Sequence, residues 1–133
     1  MHYSSSPVLP SEQQIKDLVE RFYSRVRHDE LLGPVFARAI GDHWDEHLIK
    51  MSDFWSSLVL ASRRYKGNPM EVHTLLPRLG RDHFERWLAH WRATTSELLG
   101  EAHAHMFVKK AEFMAERLLA AVDFHYDAPS APA

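Results

Sequence analysis

The chain has 133 residues, 45% of them hydrophobic and 26% charged, with no cysteine and a formal net charge of -2 at pH 7. That length fits one globular domain, and the near-neutral charge gives no electrostatic reason to expect nucleic acid or anionic lipid as a partner. The lack of cysteine excludes disulfides, thiolate metal sites, iron–sulfur clusters and a Cys nucleophile, and fits a reducing, cytoplasmic setting.

No apolar run approaches the roughly 18 residues of a membrane span. The opening MHYSSSPVLP has neither the basic start nor the apolar stretch of a signal peptide. Residues 1–10 read as a flexible N-terminal arm, 11–126 as one domain, and 127–133 (DAPSAPA) as a frayed tail.

Ser11 and Gln14 form a capping-box pattern, S-x-x-Q, ahead of a helix. Its apolar stripe is Ile15, Leu18, Val19, Phe22, Tyr23 and Val26, at helical spacing. Tyr23 stands among core positions, and its hydroxyl requires a partner there. Asp29 to Pro34 (DELLGP) reads as a turn, Val35 to Ile40 as a short helix carrying Phe36, and Gly41 as its stop. Asp42 is placed to cap a long helix fading near Arg63-Arg64. Its inner stripe is Trp44, His47, Leu48, Met51, Phe54, Trp55, Leu58 and Val59. Tyr65 to Asn68 is a loop, and Asn68-Pro69 opens a short segment that Pro77 and Gly80 close. His73 sits mid-segment among Met70, Val72, Leu75 and Leu76. Asp82 with Glu85 opens another helix, striped by Phe84, Trp87, Leu88, Trp91 and Leu98 and ended by Gly100. The last helix, about Glu101 to Phe124, packs Met106, Phe107, Phe113, Met114, Leu118 and Val122. With no alternating apolar–polar run, the fold class is all-α.

The chemistry centres on two histidines in apolar company. His73, on a short piece bounded by two prolines, can aim a neutral imidazole nitrogen into an apolar slot, as a haem-iron ligand requires. The competing reading is a core histidine bonded to a backbone carbonyl. His47 lies on the apolar face of the long helix as a second ligand, a gate, a donor to a bound molecule, or an interface histidine. Tyr23 and Trp87 carry the other inward polar tips. His43 and His47 are four apart, a zinc-compatible spacing, but HWDEH is not the H-E-x-x-H of metalloproteases, because Glu46 directly precedes the second histidine.

Together these residues resemble the truncated haemoglobins, most closely their third group, over roughly residues 15–122. Phe22-Tyr23 resembles the B-helix aromatic pair, and LLGPVFARAIG the segment after it. Trp44-Asp45-Glu46-His47 resembles the W-x-E-H start of the E helix, and Phe54-Trp55 its F-W pair. Tyr65-Lys66-Gly67-Asn68-Pro69 followed by His73 resembles the Y-x-G-x-P-x-x-x-H run, and His83 to Leu88 the opening of the G helix. The Gly-Gly hinges of the first two groups are missing, as in the third.

The resemblance implies a shortened globin, a two-over-two helical sandwich enclosing haem b. His73 would be the proximal metal ligand. The cofactor would be lined by Phe36, His47, Met51, Phe54, Val72, Leu76, Phe84 and Trp87, and small ligands (O2, CO, NO) would meet Tyr23, His47, Trp87 and Phe22. Distal hydrogen bonds imply slow O2 release. Arg63, Arg64 or Lys66 at the rim would meet the propionates. An alternative on the same haem is enzymatic, NO dioxygenation or peroxide turnover, with a separate reductase because this chain shows no flavin or nicotinamide domain. A haem-free helical interaction module is the alternative of a different class.

Overall fold

The computed structural model describes residues 9–67 and 79–127, with side chains up to Asp123, as five helices and no strand. They are α1 (Glu12–Arg27), α2 (Leu32–Ile40), α3 (Trp44–Leu60), α4 (Arg81–Leu99) and α5 (Glu101–Asp127). The expected segment around His73, with Val72 and Leu76, lies outside the described residues, as do residues 1–8 and 128–133.

Helix α1 is the spine. The capping box forms as the sequence indicates: Gln14 N–H donates to Ser11 Oγ at 3.1 Å, and Ser11 N–H to Gln14 Oε1 at 2.8 Å. All six stripe residues, Ile15, Leu18, Val19, Phe22, Tyr23 and Val26, are buried. On one side α1 packs against α3 and on the other against α4, which pairs with α5. Two layers result, α1 with α3 over α4 with α5, and α2 bridges α1 to α4.

Several boundaries differ from expectation, each for a local reason. Helix α2 begins at Leu32, so Gly33 and Pro34 lie in its first turn and not in a preceding loop. Proline is tolerated there because first-turn amides have no helical acceptor. Gly33 is required sterically: a Cβ at this position would sit 2.8 Å from the Arg27 carbonyl oxygen. The N-cap of α3 is His43, not Asp42, and no side chain caps that end. The helix stops at Leu60, with Ala61 in the left-handed region, short of Arg63-Arg64. Ser56 Oγ and Ser57 Oγ hold Ser62 Oγ at 2.8 and 3.2 Å, which turns the chain back against the helix end. Helix α4 is capped from Gly80, whose N–H donates to His83 Nδ1 at 3.1 Å, so Asp82 lies inside the first turn.

Three expected core residues are exposed: Leu58 at 40%, Leu98 at 39% and Phe113 at 57%. On α5 the buried row is Ala104, Phe107, Ala111, Ala115, Leu118 and Val122, at steps of three and four. Phe113 falls off that row, which carries three alanines. On α4 the buried positions beyond Trp91 are Thr94 and Thr95, whose hydroxyls donate back to His90 O and Trp91 O at 2.7 and 2.8 Å. Polar by composition, they satisfy themselves within the helix and can be buried.

Candidate functional site

The fold gathers an aromatic cluster where α1, α2, α3 and α4 meet. Phe22 is its hub, edge-on to Tyr23, Trp87 and Trp91 with ring centroids 4.8, 5.4 and 4.9 Å away. Beneath it Trp91 stacks on Trp55 at 4.5 Å and donates its indole N–H to the Phe107 carbonyl at 3.2 Å, which joins α4 to α5.

Above it stand the polar tips. Tyr23 is 5% exposed, and the Trp87 side chain lies within hydrogen-bonding reach of its hydroxyl. Burial pushes the Tyr23 phenol well above its ordinary range, and the Trp87 bond only partly offsets this. The phenol therefore keeps its proton at any ordinary pH. A protonated phenol can accept from an N–H and also donate its own O–H. His47 stands edge-on to Tyr23 with centroids 4.8 Å apart, and its Nε2 is buried. Phe36 and Trp44 close the group, 5.8 and 6.0 Å from the Tyr23 ring. The Arg27 guanidinium lies 4.4 Å over Trp44, at a groove of about 430 Å³ between α1 and α3 that Tyr23, Trp44 and Leu48 also line.

Of the residues singled out in the sequence, Tyr23, Phe22, Phe36, His47 and Trp87 come together here. Met51 and Phe54, further along the same face of α3, pack partly buried on this core. Phe54 lies edge-on to Tyr65 at 5.0 Å, and Tyr65 N–H donates to Ser57 Oγ at 3.0 Å, so the loop after α3 is tied to the helix. Phe84 belongs to a second cluster with Leu79, Ala115, Leu118 and Leu119. His43 points to Glu46 at 3.4 Å in an exposed pair, and the described residues hold no cluster of metal-ligand type. Arg64 pairs with Glu12 and Asp53, which joins the loop after α3 to α1 and α3.

Sequence reasoning missed Asp29, read as part of a plain turn. Its carboxylate is almost fully buried. Oδ1 accepts from the Leu31 and Leu32 N–H groups at 2.8 and 2.9 Å. Oδ2 faces Arg86 Nη2 at 2.8 Å and His90 Nε2 at 2.7 Å. An Asp three residues before an apolar helix is a capping signal, and that half was readable. The partners 57 and 61 residues away were not.

A phenol, an imidazole and an indole N–H converge within otherwise apolar walls. That donor set fits the distal side of a flat apolar cofactor that carries a small polar ligand. The class of protein is given by the comparisons. Residues 9–119 match the family model described as bacterial-like globin. A group 3 truncated hemoglobin of Campylobacter jejuni is 32% identical over 108 residues, covering 79% of this chain and 85% of the relative. The crystal structure of a group III truncated hemoglobin from Campylobacter jejuni superposes with a TM-score of 0.83 at 29% identity, over 88% of this chain and 94% of that one. A thermostable hemoglobin from Thermobifida fusca shares the fold, with a TM-score of 0.60 at 24% identity over 90% of this chain and 94% of the other. The chain belongs to the bacterial-like globins and, within them, to the group III truncated haemoglobins. It is a haem-binding globin by family, and no helix among the described residues is long and apolar enough to cross a membrane.

Proposed function

We propose that the protein holds haem b between His73 and the Tyr23–His47–Trp87 pocket, and that it binds O2 and other diatomic ligands with slow O2 release. The observation that carries the reading is the buried Tyr23 hydroxyl, kept protonated by burial, beside Trp87 and the His47 ring.

Ferrous haem supplies reversible binding of O2, CO or NO. Everything else falls to the chain. His73 would hold the metal, and Phe36, Met51, Phe54, Val72, Leu76 and Phe84 would give the apolar walls that keep water out. Tyr23 would donate its O–H to the ligand, with Trp87 behind it. A hydrogen bond to a partly charged acceptor contributes roughly 1.5–3 kcal/mol, or on the order of ten- to a hundredfold in release rate. His47, edge-on to Tyr23, stands where movement of its ring would open or narrow the pocket. Slow release suits sensing, scavenging or redox chemistry better than delivery.

Absorption spectra of the purified protein in ferric, ferrous and CO-bound states test the reading. An intense Soret band that shifts on reduction and on CO addition is expected. A protein that takes up no haem when it is supplied would overturn it in favour of a haem-free helical module.

A further inference from the structure

The buried Asp29 carboxylate lies outside the ligand pocket, yet it touches every element that builds the polar side of it except α3. It follows directly on α1, whose Tyr23 lies six positions earlier, and its N–H donates to Val26 O at 3.1 Å. It caps α2, which carries Phe36 against the Tyr23 ring. It also takes Arg86 and His90 from α4, and these two flank Trp87. The side chain is 3% exposed, whereas the surface pair Arg21 and Glu97 is roughly half exposed on both sides. Exposed pairs hold little in place, but a buried carboxylate that loses a partner is costly, so its geometry is tightly enforced.

We propose that Asp29 is a positioning residue for the distal donor pair. By clamping Arg86 and His90 of α4 against the α1–α2 corner, it fixes the rotation and height of α4 at Trp87 and so keeps the indole within reach of the Tyr23 hydroxyl. The assignment rests on the distal reading above.

Chemistry makes the clamp specific. His90 Nε2 faces a carboxylate oxygen, so it carries the proton in this contact. Arg86 brings both Nε, at 3.2 Å, and Nη2, at 2.8 Å, to the same oxygen. Asp29→Asn keeps an acceptor for the α2 amides but turns an NH2 group toward the Arg86 guanidinium, donor against donor. Arg86→Leu removes the cation at a half-exposed position and keeps much of the stem, so folding is preserved even if the first variant is too unstable to purify.

The test reads two signals that a merely structural role would not move. One is the Trp87 indole N–H proton resonance, measured in the CO-bound protein or, should no haem bind, in the protein as purified. The other is the O2 release rate, measured for each variant alone and again combined with Trp87→Phe. Both variants should shift the indole resonance toward its solvent-exposed value. Both should speed O2 release severalfold with Trp87 present and by less than twofold once Trp87→Phe is in place. Val122→Ala, at the buried far end of α5, sets what lost stability alone does to the rate. An unmoved indole resonance, or an acceleration that persists undiminished in the Trp87→Phe background, overturns the proposal. If Trp87→Phe itself leaves the rate untouched while Asp29→Asn changes the resonance, the clamp stands and the distal role of Trp87 falls.

Discussion

The indole of Trp87 on α4 lies within hydrogen-bonding reach of the Tyr23 hydroxyl on α1, and both rings stand edge-on to Phe22. The sequence suggests two independent donors to a ligand. Within reach of each other, the two can also act in series, with Trp87 behind Tyr23. Bonds in such a chain polarise one another.

Coupling between the two residues is therefore expected. Trp87→Phe should speed O2 release in the parent protein and have little further effect once Tyr23→Phe is present. A double-mutant cycle on release rates should give an interaction of about 0.5–3 kcal/mol. Additive effects would return Trp87 to a direct role.

His73→Ala should lose haem or hold it loosely, because no other residue between Pro69 and Gly80 offers an imidazole. Haem titration followed at the Soret band checks this. Added imidazole should restore a spectrum close to the parent's. A variant spectrum identical to the parent's would move the ligand to another histidine.

Trp91 should be the costliest core position. It is fully buried, stacks on Trp55 and Trp87, and bonds the Phe107 carbonyl. Replacement by alanine should destabilise the fold by about 3–5 kcal/mol, read by urea unfolding.

Asp29 should make the fold acid-sensitive. Burial alone would raise its carboxyl pKa. The His90, Leu32 N–H, Arg86 and Leu31 N–H contacts together outweigh that and hold it well below the ordinary carboxylate range. A depressed folded-state value means that its contribution is complete above the unfolded value of about 4 and is lost as pH falls below it. Asp29→Ala should lower stability at pH 7 and flatten the acid limb of a stability–pH curve. An unchanged acid limb would show that other carboxylates govern it.

How much of this was legible depended on the range of the interaction that fixed each feature. The α1 stripe and the Ser11–Gln14 box were readable because both are local and periodic. The turns were less so. Leu32 starts a helix because Asp29 caps it, and the carboxylate is held there by α4. Leu98 and Phe113 fit an apolar stripe on paper, but the buried positions are Thr94 and Thr95 on α4 and Ala104, Ala111 and Ala115 on α5, small side chains or hydroxyls that bond within their own helix. Tyr23, His47 and Trp87 were visible as polar tips at inner positions, but how they face one another follows from helix rotation, which no spacing encodes.

The most direct test of the distal-donor account is the O2 dissociation rate of the ferrous protein, compared with that of Tyr23→Phe by rapid mixing of the oxygenated form with excess CO. The parent should release O2 slowly, and the variant on the order of ten- to a hundredfold faster, as expected for loss of a charge-assisted hydrogen bond. Equal rates in the two proteins would contradict it.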